Sequence, residues 1–280
     1  MKVLVTGANG FLGSRIANYY GQTHQVYTYG HQTLDITSLE SVEAVFSIVR
    51  PEVVVHCAAI SNTGYAQEHP EESHQVNVVG TTNIAKASMK HGAKLVYMSS
   101  DQVYNGTRAL GLLPEEAPLS PVNVYGKDKL EAEKLTQEIL PSAVGLRLTW
   151  MYDLPTSTMK LNSNLLVNIK QAFDTHTPLH IATHEYRGIT NVWDVVKQLE
   201  ACTELPGGIY NFGSENRLTC YETFTQTARL LGYDDIEQLI IADDERFHAQ
   251  PRNLSMDITR LRSHGIDFPD TIEGVMNALQ

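Results

Sequence analysis

Tyr125 and Lys129 stand four residues apart in the run Asn123-Val124-Tyr125-Gly126-Lys127-Asp128-Lys129, so a helix there places both on one face. The pair has a chemical use. An unperturbed phenol titrates at about 10, and a neighbouring ammonium favours its ionised form. A tyrosine tuned in that way can hand a proton to a carbonyl oxygen or take one back. Lys127 falls on another face and is expected to be a solvated charge. Ser100, in Met98-Ser99-Ser100-Asp101, offers a hydroxyl that could hold such a carbonyl.

A second constellation lies at the start of the chain. Thr6-Gly7-Ala8-Asn9-Gly10-Phe11-Leu12-Gly13 follows an apolar run and opens a helical pattern. Gly7 suits a tight turn, Gly10 lets the backbone approach a pyrophosphate, and Gly13 lets helix and strand pack closely. The free N–H groups of the helix would receive the anion. The GxxGxxG spacing points to a dinucleotide. An acid at the end of the second strand would select NAD by holding its ribose hydroxyls. Tyr29, Gly30 and His31 supply none, so NADP(H) is the expected preference, with NAD(H) left open. Asp35, followed by Ile36, is placed to touch adenine or to cap the next helix.

The elements that must position these residues can be read from periodicity. Runs at 3–6, 25–28, 53–57, 95–98 and 144–148 are almost continuously apolar or β-branched, as strands buried on both faces of a parallel sheet are. Helical stripes lie between them: Leu12, Ile16 and Tyr19 or Tyr20, then Leu39, Val42, Val45, Phe46 and Val49. A single helix is expected from Glu71 to His91, opened by Pro70 and closed by Gly92. Strand–helix alternation predicts an α/β fold with a doubly wound parallel sheet of the Rossmann type. That sheet places Ser100 at a carboxyl edge, where ligands bind. The second half reads as a smaller C-terminal substrate lobe. It has helices near 165–172, 192–203, 221–231 (capped by Thr219 or Cys220) and 271–279, and a strand at 208–212. The expected boundaries are 1–150 for the dinucleotide domain, with segments returning near 188–213, and 151–187 plus 214–280 for the lobe.

Composition bounds the partners. The 280 residues carry a formal charge of −11 and are 42% hydrophobic, which argues against nucleic acid or an anionic membrane surface. No run approaches a membrane span, and a strand starting at Lys2 leaves no room for a signal peptide. Cys57, Cys202 and Cys220 lack CxxC spacing, and His24, His31, His69, His74 and His91 are scattered. Reduced thiols, no metal and a cytoplasmic location are expected.

With these stretches in place the chain resembles the extended short-chain dehydrogenase/reductase family, and within it the dTDP-4-dehydrorhamnose reductase-like subgroup. The stretches carrying the likeness include TGANGFLG at 6–13, VNVVGTTNIA at 76–85, SSDQVY at 99–104, PLSPVNVYGKDKLEAE at 118–133 and QPRNLSMDITRL at 250–261. The resemblance implies a hydride transfer from NAD(P)H to the C4 keto group of a nucleotide-activated deoxysugar. Ser100, Tyr125 and Lys129 would be catalytic. Gly7, Gly10, Phe11, Leu12, Tyr29, His31, Asp35, Ile36, Ala58, Ala59, Asn77 and Ser99 would join Tyr125 and Lys129 in holding the cofactor. Asp101, Gln102, Trp150, Arg187 and Arg252 would meet the substrate. Both arginines suit a diphosphate fork and equally suit salt bridges. Related dehydratases carry Asp-Glu where Asp101-Gln102 stands, and an amide cannot act as that base. An epimerase remains an alternative, as does a non-catalytic NADP-binding subunit like the regulatory β subunit of methionine adenosyltransferase. The resemblance also implies a homodimer.

Overall fold

A computed structural model describes residues 1–154 and 159–280. The chain forms two compact units. The first comprises Met1–Val103, Pro121–Arg147 and Val196–Tyr210; the second comprises Tyr104–Ser120, Leu148–Val195 and Asn211–Gln280. Of the lobe expected over 151–187, residues 155–158 lie outside the described residues. Among the described residues no helix is long and apolar enough to cross a membrane.

In chain order the first unit runs β1 (Lys2–Thr6), α1 (Phe11–Tyr20), β2 (Gln25–Tyr29), α2 (Leu39–Val49), β3 (Val53–His56) and α3 (Thr63–Glu68). Then come α4 (Pro70–His74), a π-helical turn (Gln75–Gly80), α5 (Thr81–His91), β4 (Lys94–Ser100), α6 (Val124–Ile139) and β5 (Val144–Leu148). The sheet order is 208–212, β5, β4, β3, β1, β2. The pairs β2–β1, β1–β3 and β3–β4 are parallel. The chain therefore reverses its direction of travel across the sheet between β1 and β3, and the carboxyl ends of those strands form the usual ligand crevice of such folds. Every residue of β3 and β5 is buried, which explains their unbroken apolar patterns. Leu4, Phe46, Val54, Ile84 and Leu95 join strands and helices in one core cluster.

The helix expected from Glu71 to His91 is three pieces. Pro70 opens it and Gly92, at φ 69°, closes it, but Gln75–Gly80 forms a π-turn. There the Thr81 hydroxyl bonds the Asn77 carbonyl and the Thr82 hydroxyl bonds that of Val79. Such back-bonding, at 2.7 and 2.8 Å, loosens the regular ladder. π-turns are rare and gather at functional sites. The helix expected over 192–203 is α-helical only to Gln198; a 3₁₀ turn follows at Ala201–Glu204, and Pro206 disfavours continuation.

His56 ties this region together. The single Thr81 hydroxyl hydrogen goes to Asn77, so Thr81 accepts from His56 Nε2 at 3.2 Å. Nδ1 then accepts the Thr6 hydroxyl at 2.7 Å. Burial, aided by the Lys129 charge, pushes the imidazole down to about 3. The unfolded chain therefore takes up a proton below about pH 6.5 that the folded protein refuses, and stability is lost as pH falls from there. Between pH 7 and pH 5 the loss attributable to His56 should be about 2 kcal/mol. Urea unfolding at both pH values checks this: His56→Gln should lose that much less than the parent protein. Equal losses would contradict it.

The second unit contains short parallel pairs: 150–152 with 189–191, 179–182 with 240–243, and 185–187 with 252–254. Helices at Leu165–Thr175, Cys220–Leu230 and Thr271–Leu279 surround them. Thr219 caps the middle helix in a capping box with Glu222. Tyr152, Leu166, Ile169, Ile189, Phe224 and Val275 form its core.

Candidate active site

The glycine loop is built for a close approach. Gly7 has φ +66°, and a Cβ there would lie 2.6 Å from the Ala58 nitrogen. A Cβ on Gly13 would overlap the Gly7 carbonyl. Only glycine fits at either position. Gly10 caps α1 without a side-chain hydrogen bond, so the first N–H groups of the helix keep the donors that a pyrophosphate needs. These observations fit a dinucleotide held by Gly7, Gly10 and the α1 start. Phe11 and Leu12 are buried, while Ala58 and Ala59, just past β3, are half-buried.

At the end of β2, Tyr29 is half-buried and His31 exposed. The Asn9 amide lies against Gly30, 2.5 Å from where a Cβ would stand; sequence reasoning did not single out Asn9. Asp35 is exposed and its Oδ1 accepts from both the N–H and the hydroxyl of Thr37. The cap of α2 is Ser38, which accepts from the Ser41 N–H, so Asp35 shapes the turn before the helix rather than capping it. Ile36 is buried against Gly80. Asn77 is fully buried; its amide accepts from the Ile60 N–H and donates to the Ile60 carbonyl and to Ser73.

β4 and α6 bring the chemical groups together. Asn123 caps α6 by accepting from Gly126 N–H at 2.8 Å. Its amide also donates to Gln102 Oε1 at 3.1 Å. Tyr125 and Lys129 are 8% and 4% exposed; Lys127 is exposed. The Tyr125 hydroxyl lies beside Ser100, close enough for that side chain to lower its phenol, which brings a residue of α6 to the end of β4. Ser100 Oγ donates to Asp101 Oδ1 and accepts from the Gln102 N–H, both at 3.2 Å. The Gln102 amide also donates to Asp101 Oδ1. Ser99 instead donates to Glu133 at 2.5 Å, away from its neighbour's partners.

Electrostatics differ from the expectation in one respect. Burial raises the Tyr125 phenol, Ser100 lowers it, and the Asp101 charge raises it again; the result is well above the ordinary value. Lys129 does not offset this. Its Nζ donates to the Met98 carbonyl at 2.9 Å and lies 5.6 Å from the Tyr125 ring centre. Burial pushes Lys129 down to about 8. At neutral pH Tyr125 is therefore a protonated phenol beside a mostly charged lysine. That is the state an acid catalyst for carbonyl reduction requires.

In the second unit Trp150 stacks on Phe224, and the Arg187 guanidinium lies 5.4 Å from the Trp150 ring centre. Arg252 pairs with Glu185 at 3.5 Å and lies over Phe247. Trp150 and Arg187 are thus brought together, and Arg252 carries the salt bridge that the sequence left as its other reading.

The RmlD substrate binding domain family matches residues 1–280. The chain belongs to that family. Among its relatives is a methionine adenosyltransferase 2 subunit beta from Bos taurus, 30% identical over 282 residues, covering 95% of this chain and 83% of that protein. A dTDP-4-dehydrorhamnose reductase from Aggregatibacter actinomycetemcomitans is 24% identical over 99% of this chain and 97% of its own. The fold matches a crystal structure of dTDP-4-dehydrorhamnose reductase from Bacillus anthracis, which is in complex with NADP. The TM-score is 0.86 at 24% identity, covering 99% and 98% of the two chains. The family fold is a Rossmann-type α/β sheet, as the sheet order here is.

Proposed function

We propose that this chain is a reductase that uses NADPH, and less readily NADH, to reduce the C4 keto group of a nucleotide-activated deoxysugar, with dTDP-4-dehydrorhamnose the first substrate to test. The observation that carries the proposal is the buried, protonated Tyr125 beside the buried Ser100 at the carboxyl edge of the sheet. Bound dihydronicotinamide supplies the hydride. Ser100 holds the keto oxygen by a hydrogen bond, and Tyr125 gives that oxygen its proton as it becomes an alkoxide. Lys129, charged at working pH, favours the phenolate that Tyr125 leaves behind. Gln102 lacks the acid–base capacity that dehydration would need. Gly7, Gly10, Phe11 and Leu12 hold the cofactor with Ala58 and Ala59. The lack of any acid among Tyr29, Gly30 and His31 supports NADPH. The first unit acts as the dinucleotide domain. Residues 151–187 and 214–280 serve the substrate, with Trp150, Arg187 and Arg252 its expected contacts. A cytoplasmic homodimer is the proposed form.

Oxidation of NADPH and NADH in the presence of dTDP-4-dehydrorhamnose tests the activity. Substrate-dependent loss of absorbance, faster with NADPH, is the expected outcome; no loss with either cofactor would overturn it. The 30% identity to methionine adenosyltransferase 2 subunit beta favours a second reading, an NADP-binding regulatory subunit. In that case NADPH binds without turnover and the chain co-purifies with a methionine adenosyltransferase.

A further inference from the structure

Asp128 is a buried carboxylate that the proton transfer does not use. It precedes Lys129 on α6, is 5% exposed, and accepts the Ser73 hydroxyl hydrogen at 2.5 Å. Ser73 stands in α4 with no exposed surface. Its oxygen accepts from Asn77 Nδ2 at 3.1 Å, and the Asn77 amide also lies beside Asp128, whose carboxyl it lowers. The other bonds of that amide both go to Ile60, accepting from its N–H at 2.9 Å and donating to its carbonyl at 3.1 Å.

The direction of each hydrogen is fixed. Ser73 gives its single hydrogen to Asp128, so the Ser73 lone pairs face Asn77. Asn77 then presents its oxygen and its NH₂ to the two backbone groups of Ile60, a two-point clamp that no rotated amide would satisfy. Ile60 directly follows Ala58 and Ala59, and Ala58 is the residue whose nitrogen a Cβ on Gly7 would strike. An unbroken chain of hydrogen bonds thus leads from the helix bearing Tyr125 and Lys129, through α4 and the π-turn, to the loop beside the glycine turn.

We infer that Asp128 and Ser73 are positioning residues that, acting through Asn77, set the Ala58–Ile60 loop relative to the catalytic helix and so shape the cofactor seat. The inference rests on the proposal that Ala58 and Ala59 flank the dinucleotide. Simple helix packing would not need this pattern, because an apolar pair of similar size packs as well as a buried polar one. A packing role would also leave the Ile60 backbone indifferent to the side chain at Asp128.

Two readouts on the full chain test this: amide hydrogen exchange at Ile60 and the NADPH dissociation constant from cofactor fluorescence. Asp128→Leu should speed exchange at Ile60 and weaken NADPH binding, each by about tenfold, the scale of a lost hydrogen bond to a charged group. Ser73→Ala should change both in the same direction by a smaller factor, since Asn77 still lies beside Asp128. Asp128→Asn keeps an acceptor and should stay within about twofold of the parent on both. The double variant Ser73→Ala/Asp128→Leu should be no worse than Asp128→Leu alone, because both act through one link. Unchanged Ile60 exchange in Asp128→Leu would overturn the inference, as would damage from Asp128→Asn equal to that from Asp128→Leu. Should the parent protein bind no NADPH, the functional proposal fails, while the exchange measurement still decides whether the link exists.

Discussion

Tyr125→Phe should lower kcat for NADPH-dependent reduction by about 10²–10⁴-fold, the usual contribution of a positioned general acid. The phenyl ring keeps the packing of a side chain that is only 8% exposed, so the fold and the cofactor dissociation constant should change little. The loss should fall on kcat and kcat/KM alike, because the missing proton matters only as charge develops on the keto oxygen. Steady-state kinetics with NADPH fluorescence titration on the same preparation measure both. A variant retaining more than about a tenth of the activity would remove Tyr125 from the proposed role, since solvent would then be the proton source. Ser100, its neighbouring phenol hydroxyl gone, still accepts the Gln102 N–H, so the substitution leaves the end of β4 tied down.

The second large effect concerns stability. Arg147 on β5 meets Glu133 on α6 through two hydrogen bonds, Nε to Oε1 at 3.0 Å and Nη2 to Oε2 at 2.8 Å. The side chains are 4% and 3% exposed. Ser99 adds a third donor to the same carboxylate. Removing one partner of such a pair strands a charge away from water, whereas removing both can be nearly neutral. Arg147→Met should therefore cost about 3–5 kcal/mol, or roughly 10 °C in melting temperature. Arg147→Met combined with Glu133→Leu should recover most of that. Calorimetric melting of the three proteins checks the prediction; a single-variant cost below about 1 kcal/mol would show that the pair is solvated after all. Because Glu133 is one helical turn beyond Lys129, the pair also fixes the height of α6 against the sheet that carries Ser100.

Much of the first unit was legible because its signals are local. The GxxGxxG loop lies in seven contiguous residues, and the structure explains Gly7 and Gly13 by contacts no other residue permits. The Tyr125–Lys129 pair spans about one turn of helix. Buried strands announce themselves by composition. The strands of the second unit did not, since 150–152, 185–187, 189–191 and 252–254 are three residues each, too short for alternation to show. The π-turn was hidden because a hydrophobic stripe carries no trace of the Thr81 and Thr82 hydroxyls that bond carbonyls there.

Long-range polar bonds were the least readable. Lys129 donates one of its hydrogens to the carbonyl of Met98, 31 residues away, a bond that the Tyr125–Lys129 spacing does not announce. Ser73 and Asp128 are 55 residues apart, and neither type nor spacing marks them as partners. His56 and Thr81 read as a strand end and a helix residue until the fold closes them on each other. Sequence identifies the groups that could react; only the packed structure says which hydrogen each of them holds.

The most direct measurement follows a labelled hydride. The protein is mixed with dTDP-4-dehydrorhamnose and NADPH deuterated at C4 of the nicotinamide, and the sugar product is read by NMR and mass spectrometry. A reductase gives one deuteron at C4 of the sugar for each transferable deuteride of NADPH consumed. An epimerised sugar without deuterium and with NADPH unconsumed, or NADPH held without any change in the sugar, would contradict the assignment.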